Sequence, residues 1–477
     1  MKKSKAALAV LACAMSVCCV AGFTACGDPN AGNADPVKLN AEKTSIVVTG
    51  HEWGPAVNSV VVKFKEKVSG VTKDTFTVTT SGKKRAVTAA YCSDANGKKS
   101  TAATEYVTLV LEKAKVTSSM WGAQVEASPF SYDQNKRRNE WAAKYTVRVT
   151  VAENQKFRAG NTEYKAKDYF SYDVTSAADR LVPQTATWHK DVYTHTEGNI
   201  ALSRASWSPE GAAEDGVKNP LVIWLHGMGE GGTDIDIDLL GNEVTGLTSD
   251  NEVNVQHHFK TGGSAGAYVL AVQSPTWWMD VDGTGEELNN TPGTDKQTSF
   301  YTEALYGAIT SYVQSNPDID TNRIYLGGCS NGGYMTMNMM FEHGDYFAAY
   351  YPICEGYLDT RISNDMLNQI KDYNIWFLFS ADDGTVPPND YARPTYIRLK
   401  EAGAENVCMT ISEHVLGKDS EGTKYDGHWS WIYAFNDEVK TKIDNSKVTV
   451  QADLKPENCT VQANMWEWIA SKSKNAT

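Results

Sequence analysis

Beyond its first 26 residues the chain is poor in cysteine. Cys92, Cys329, Cys354, Cys408 and Cys459 are scattered, with no CxxC pair and no metal-ligand spacing. That excludes a zinc ribbon or a disulfide-dense scaffold, allows two disulfides at most, and leaves small buried hydrophobes as the reading for most of them. Positive charge is also short. There are 45 Lys and Arg against 58 Asp and Glu, for a formal net charge of −13, which argues against binding nucleic acid through its phosphates. No repeat of propeller-blade length recurs. What remains is ordinary globular material: 477 residues, 41% hydrophobic and 22% charged, enough for two or three domains.

The start is different. MKKSKAALAVLACAMSVCCVAGFTAC has a lysine-rich beginning and then an apolar stretch too short and too rich in small residues for a good membrane span. Residues 1–25 read as an export signal. Phe23-Thr24-Ala25-Cys26 resembles a bacterial lipoprotein box, although Phe23 departs from the usual Leu and Cys18 and Cys19 compete. The expectation is a surface lipoprotein anchored through a lipid on Cys26, the alternative being plain secretion. Residues 26–36, small and turn-forming, read as a tether.

From 37 to 179 the texture is Thr-, Val- and Lys-rich with period-two runs. SIVVTG, NSVVVKFKEKV, DTFTVTT, EYVTLVLEKA and KYTVRVTV each predict a strand. This density of strands predicts an all-β immunoglobulin-like sandwich, without the Cys…Trp…Cys signature of antibody domains. From 180 to 477, apolar strands (NPLVIWLHG, AYVLAVQSP, RIYLGG, FAAYYPI, NIWFLFS, NVCMTIS) alternate with helical patterns. That predicts a doubly wound, mostly parallel α/β sheet with its site beyond the carboxyl ends of the strands.

The chemistry-bearing residues fall there. Gly328-Cys329-Ser330-Asn331-Gly332 fits G-x-S-x-G between a strand and a helix, the setting of a nucleophile whose turn is too tight for ordinary neighbours. A serine needs a base and an orienting acid. FLFSADDGTVPP offers Asp383 as the acid, with Asp382 beside it as a turn residue. Of the later histidines, His428 in the loop-like YDGHWSW suits a base better than His414 at a strand end. The amides of Asn331 and of Met228, in LHGMGEGG with Gly229 close behind, are the candidate oxyanion donors, and His226 reads as structural. Trp277, Trp278 and Trp429 are candidate pocket residues. Met335, Met337, Met339 and Met340 read as helix core. DIDID (234–238) lacks an EF-hand spacing and reads as a solvated loop.

Together NPLVIWLHGMGEGGTD, IDTNRIYLGGCSNGGYMTMNMM, FAAYYPICEG, ADDGTVPP and GHWSWIYAF resemble successive landmarks of α/β-hydrolase esterases. The nearest group includes feruloyl esterases, polyhydroxybutyrate-depolymerase-like enzymes and prolyl-oligopeptidase-related hydrolases, some with an immunoglobulin-like N-terminal domain. The resemblance implies Ser330, Asp383 and His428 as a triad, with no metal or other cofactor. The expected activity is hydrolysis of carboxylic esters, either small or attached to polysaccharide, with analogy tilting towards acetyl or feruloyl groups of plant material. A prolyl-oligopeptidase-type peptidase and a non-catalytic carbohydrate-binding protein are the alternatives. Residues 437–456 resemble an insertion before the last helix.

Overall fold

A computed structural model describes residues 36–114, 116, 126–249, 254–286, 296–418, 423–443 and 460–474. The leader, Cys26, nearly all of the tether, Cys459 and most of the 437–456 insertion lie outside them.

All five strands expected in the first region form, as parts of Ala41–His51, Gly54–Ser69, Phe76–Thr80, Thr104–Leu111 and Tyr145–Val151. They belong to two facing sheets, one of seven strands and one of four. Tyr145–Val151 shows why: Tyr145, Val147, Val149 and Val151 are buried and the residues between them are not, so one face looks inward. The hairpins Lys156–Ala159 with Thr162–Lys165, and Phe130–Asp133 with Arg138–Trp141, are additional.

The second region holds a ten-stranded sheet. Its six central strands run parallel, in the order Tyr268–Gln273, Asn219–Leu225, Ile319–Cys329, Ala349–Ile353, Ile375–Ser380, Val407–Ser412. Two antiparallel strands flank each side, His189–His195 and Ile200–Trp207 at one edge, Thr441–Ile443 and Thr460–Gln462 at the other. The start of the presumed insertion is therefore a strand of the sheet. Every residue of Asn219–Leu225 is buried, as expected for a strand covered on both faces. The methionines of helix Asn331–His343 are fully buried in the core. Chain order reverses on either side of Asn219–Leu225, so a crevice opens between it and Ile319–Cys329.

The two regions share a helix. In Ile235–Gly241, Ile237 and Leu240 join the sandwich core, while Ile235 and Leu239 join the core beneath the large sheet. Asp234 caps this helix by accepting from the Asp236 amide, so DIDID is a helix start and not the solvated loop expected. The apolar residues between its aspartates find a core on either side. A polar anchor adds to the docking: Glu52 accepts from the Tyr425 hydroxyl at 2.8 Å, the Asn436 amide group at 3.0 Å and the Lys418 backbone at 3.1 Å.

Gly327 shows how tightly the sheet is filled. A methyl group there would lie 2.1 Å from the Tyr351 ring, which is itself buried and bonded through its hydroxyl to the Ile223 carbonyl. Gly327→Ala is expected to destabilise the protein by about 1–3 kcal/mol, the usual cost of overpacking. A lowered thermal midpoint checks this, and an unchanged one contradicts it.

Candidate active site

Ser330 follows directly on strand Ile319–Cys329 and caps helix Asn331–His343, with φ 55° and ψ −112°. Such a positive φ is strained for a non-glycine residue. The glycines two before and two after make the turn possible. A Cβ on Gly328 would sit 2.4 Å from the Leu225 carbonyl oxygen, and one on Gly332 only 1.9 Å from it. The strand end and the helix start both pack too close to the neighbouring strand for any side chain at these two positions.

Asp383 lies just past strand Ile375–Ser380 and is buried. Its Oδ1 accepts from the backbone of Thr385 at 2.9 Å and Val386 at 2.8 Å. Its Oδ2 is 2.8 Å from Nδ1 of His428, and both side chains are largely buried. His428 sits in a short 3-10 turn whose start is capped by Asp426, 2.9 Å from the His428 amide. Gly427 lets that turn approach Asp382, where a Cβ would fall 2.4 Å from Oδ1. With Nδ1–H donating to Asp383, Nε2 is left to exchange protons. Burial opposes charge on the ring, but the neighbouring Cys354 and Asp383 outweigh it and lift His428 well above the ordinary histidine range.

The neighbouring candidates do other work. His414 is partly exposed and pairs with Asp382 at 2.8 Å, and Lys424 adds a 3.0 Å contact to the same carboxylate. Burial would raise Asp382, yet hydrogen bonds from Ser380, Lys424 and His414 hold it down at about 2. His226 is buried, with Nδ1 2.5 Å from the Gly227 carbonyl and Nε2 accepting from the Ser274 amide at 3.0 Å. Burial lowers it to about 4, so it is a neutral brace for the glycine-rich loop.

Ser330, Asn331, Met228 and His428 line one cavity of about 580 Å³. Trp429 lines it too. Trp277 and Trp278 do not: they are packed in the core with exposures of 1% and 0%, and Met279 takes the wall position after them. The Trp278 backbone instead donates to Asn331 Oδ1 at 2.5 Å, tying this segment to the start of the serine helix.

Three features were not foreseen. First, the sandwich region supplies part of the wall, through Trp53, Phe130, Tyr132, Arg137 and Asn139 among others. Nothing in a period-two pattern tells which end of a sandwich faces another domain. Second, Cys354 lies beside His428. Its Sγ, an Asp383 oxygen and a His428 nitrogen fall within 4.8 Å of one another, the one group of this kind among the described residues that could hold a metal ion. Burial raises the pKa of Cys354, and the neighbouring His428 offsets part of that rise. Cys92, Cys329, Cys354 and Cys408 form no disulfide among the described residues. Third, Glu230 is buried on the cavity wall, 3.5 Å from the Asn139 amide. The glutamate in LHGMGEGG was the available signal.

A family model described as the esterase immunoglobulin-like N-terminal domain matches residues 43–163, and one for the prolyl oligopeptidase family matches residues 284–393. Among solved structures, a thermostable esterase matches at 22% identity and TM-score 0.59, over 83% of this chain and 96% of its own. The fold is that of an α/β-hydrolase, with an immunoglobulin-like domain of the kind found in esterases in front. A ferulic acid esterase matches at 13% identity and TM-score 0.36, over 52% of this chain and 95% of that one. An acylaminoacyl peptidase from Pyrococcus horikoshii matches at 16% and 0.33, over 60% and 44%. No curated protein matches in sequence.

Burial raises Glu230 of this hydrolase from an ordinary 4.5 to about 7, with Asn139 and His428 offsetting only part of it. Between those two values the unfolded chain has released the proton while the folded one keeps it, so stability falls as pH rises through the window. The full loss is about 3 kcal/mol. Glu230→Gln has no proton to lose, so its stability relative to the native protein should improve from pH 4.5 to pH 7. Chemical denaturation across that range measures it, and a pH-independent difference would contradict the assignment.

Proposed function

We propose that this esterase hydrolyses carboxylic esters with Ser330 as nucleophile, His428 as general base and Asp383 as the group that orients the imidazole. The observation that carries this reading is the buried 2.8 Å Asp383–His428 hydrogen bond, on a cavity shared with a serine held at positive φ. Ser330 Oγ attacks the ester carbonyl as its proton passes to Nε2 of His428. The oxyanion that forms is stabilised by the amides of Asn331, at the start of a helix, and Met228. His428 returns the proton to the leaving alkoxide, and an acyl-enzyme remains. Water, deprotonated by the same nitrogen, releases the acid and restores Ser330.

The cavity of about 580 Å³ has room for an acetyl or an aromatic acyl group. Acetyl and feruloyl esters of plant polysaccharides are the substrates proposed, and a surface lipoprotein tethered through Cys26 is the proposed setting. The match over 284–393 to the prolyl oligopeptidase family supports a second reading, a peptidase.

The test compares p-nitrophenyl acetate, p-nitrophenyl butyrate, methyl ferulate and a proline-containing chromogenic peptide, with native protein and Ser330→Ala. The variant should lose about 10,000-fold or more of kcat on the esters while keeping its fold. Equal rates would remove Ser330 from the chemistry, and turnover of the peptide alone would install the second reading. The charged form of His428 cannot act as base, so a raised pKa moves the appearance of activity to higher pH. The acid limb of kcat/KM should therefore have its midpoint above the ordinary histidine value of 6.5. A midpoint at or below that value would contradict the environment assigned to His428.

A further inference from the structure

Arg137 is the one lysine or arginine among the described residues of the cavity wall. It stands at the end of the turn joining Phe130–Asp133 to Arg138–Trp141, with φ 52°. Asp133 shapes that turn by accepting from the amides of Asn135 and Lys136 at 2.9 and 3.1 Å. A left-handed position at a hairpin end favours glycine or asparagine. An arginine there costs backbone energy that its side chain has to offset.

The hairpin is fixed against the hydrolase region. Arg138 donates to the Pro275 carbonyl at 2.8 Å, and Trp141 Nε1 donates to Asp234 Oδ2 at 2.8 Å. The Arg137 guanidinium lies over the Trp277 ring, 5.1 Å from its centre. Its Nη1 is buried and has no hydrogen-bond partner among the described residues. Leaving such a donor unmatched is costly.

The acids nearby are already committed. Glu140 accepts from Lys136 and Arg138, and Glu52 from Tyr425, Asn436 and the Lys418 backbone. Asp426 caps the His428 turn, and Glu230 keeps its proton to about pH 7. The cavity wall thus carries a guanidinium held over the Trp277 ring, its buried Nη1 unmatched among the described residues, on the same cavity as Ser330. Guanidinium groups held this way suit carboxylates, which accept two parallel hydrogen bonds.

We propose that Arg137 binds a carboxylate on the non-reacting part of the substrate, so that this esterase favours esters carrying a second, ionised carboxyl group. The proposal rests on the esterase reading above and makes Arg137 a specificity-determining residue contributed by the immunoglobulin-like domain. The carboxylate can belong to the acyl group, as in a dicarboxylic half-ester, or to the alcohol, as in an acetylated uronic acid.

The experiment reads a ratio. kcat/KM is measured for mono-p-nitrophenyl glutarate against p-nitrophenyl valerate, and for acetylated galacturonic acid against acetylated galactose. Native protein is compared with Arg137→Met and Arg137→Lys. The charged-to-neutral ratio should fall at least about 10-fold in the methionine variant, the loss of one charge-assisted contact, mainly through KM. The lysine variant should recover part of it. The pair of esters showing the fall identifies which side of the ester carries the carboxylate. An unchanged ratio in both pairs overturns the proposal and leaves the esterase reading intact.

If native protein hydrolyses none of the four esters, the esterase reading fails by itself. Calorimetric titration with glutarate and with galacturonate then decides the site. Binding by native protein that is lost in Arg137→Met supports it, and no binding by native protein overturns it.

Discussion

The site depends on one close approach. The end of strand Ile319–Cys329 and the start of helix Asn331–His343 lie so near strand Asn219–Leu225 that the Leu225 carbonyl oxygen would collide with any side chain at position 328 or 332. That contact forces the chain to turn sharply at Ser330, which takes up a positive φ while its neighbours take none of the strain. The serine is consequently lifted out of the buried centre of the sheet to the cavity at the carboxyl ends of the strands. Strain at one residue is tolerable because a large core holds both elements: every residue of the strand is buried, and so is nearly every residue of the helix.

Around that point, polar groups are sorted by what they can afford to lose to burial. Asp383 is buried but fully committed, to two backbone amides and to His428. Asp382, one residue earlier, turns the other way to the more exposed His414 and Lys424 and stays strongly acidic. Glu230 and Asp238 have no comparable compensation. Neither oxygen of Asp238 has a hydrogen-bond partner among the described residues, and burial drives both acids towards their neutral forms. A neutral pair costs far less in a closed interior than two unpaired carboxylates.

The immunoglobulin-like domain is built into the cavity and is more than a spacer. Helix Ile235–Gly241 gives apolar side chains to both cores, Glu52 ties three groups of the hydrolase region together, and the hairpin carrying Arg137 rests on Pro275, Asp234 and Trp277. Removing that domain would take away a wall of the cavity as well as a neighbour.

Much of this was legible in the order of residues, because it depends on local rules. Alternating burial in the first region, continuous apolar strands in the second, and glycines at 328 and 332 around Ser330 each follow from backbone geometry within a few residues. The preference for Asp383 and His428 over Asp382 and His414 used position relative to strand ends, and the structure pairs each with its own partner. Trp277 and Trp278 were placed wrongly, since a tryptophan after a strand has the same local signal whether it faces core or cavity. DIDID was misread because its isoleucines needed two cores that no local pattern reveals. The sequence by itself determined the two fold types and the turn that exposes Ser330. Only the tertiary structure decided that a hairpin from residues 130–141 would meet that serine across one cavity, because such contacts join segments nearly two hundred residues apart and leave no periodic trace.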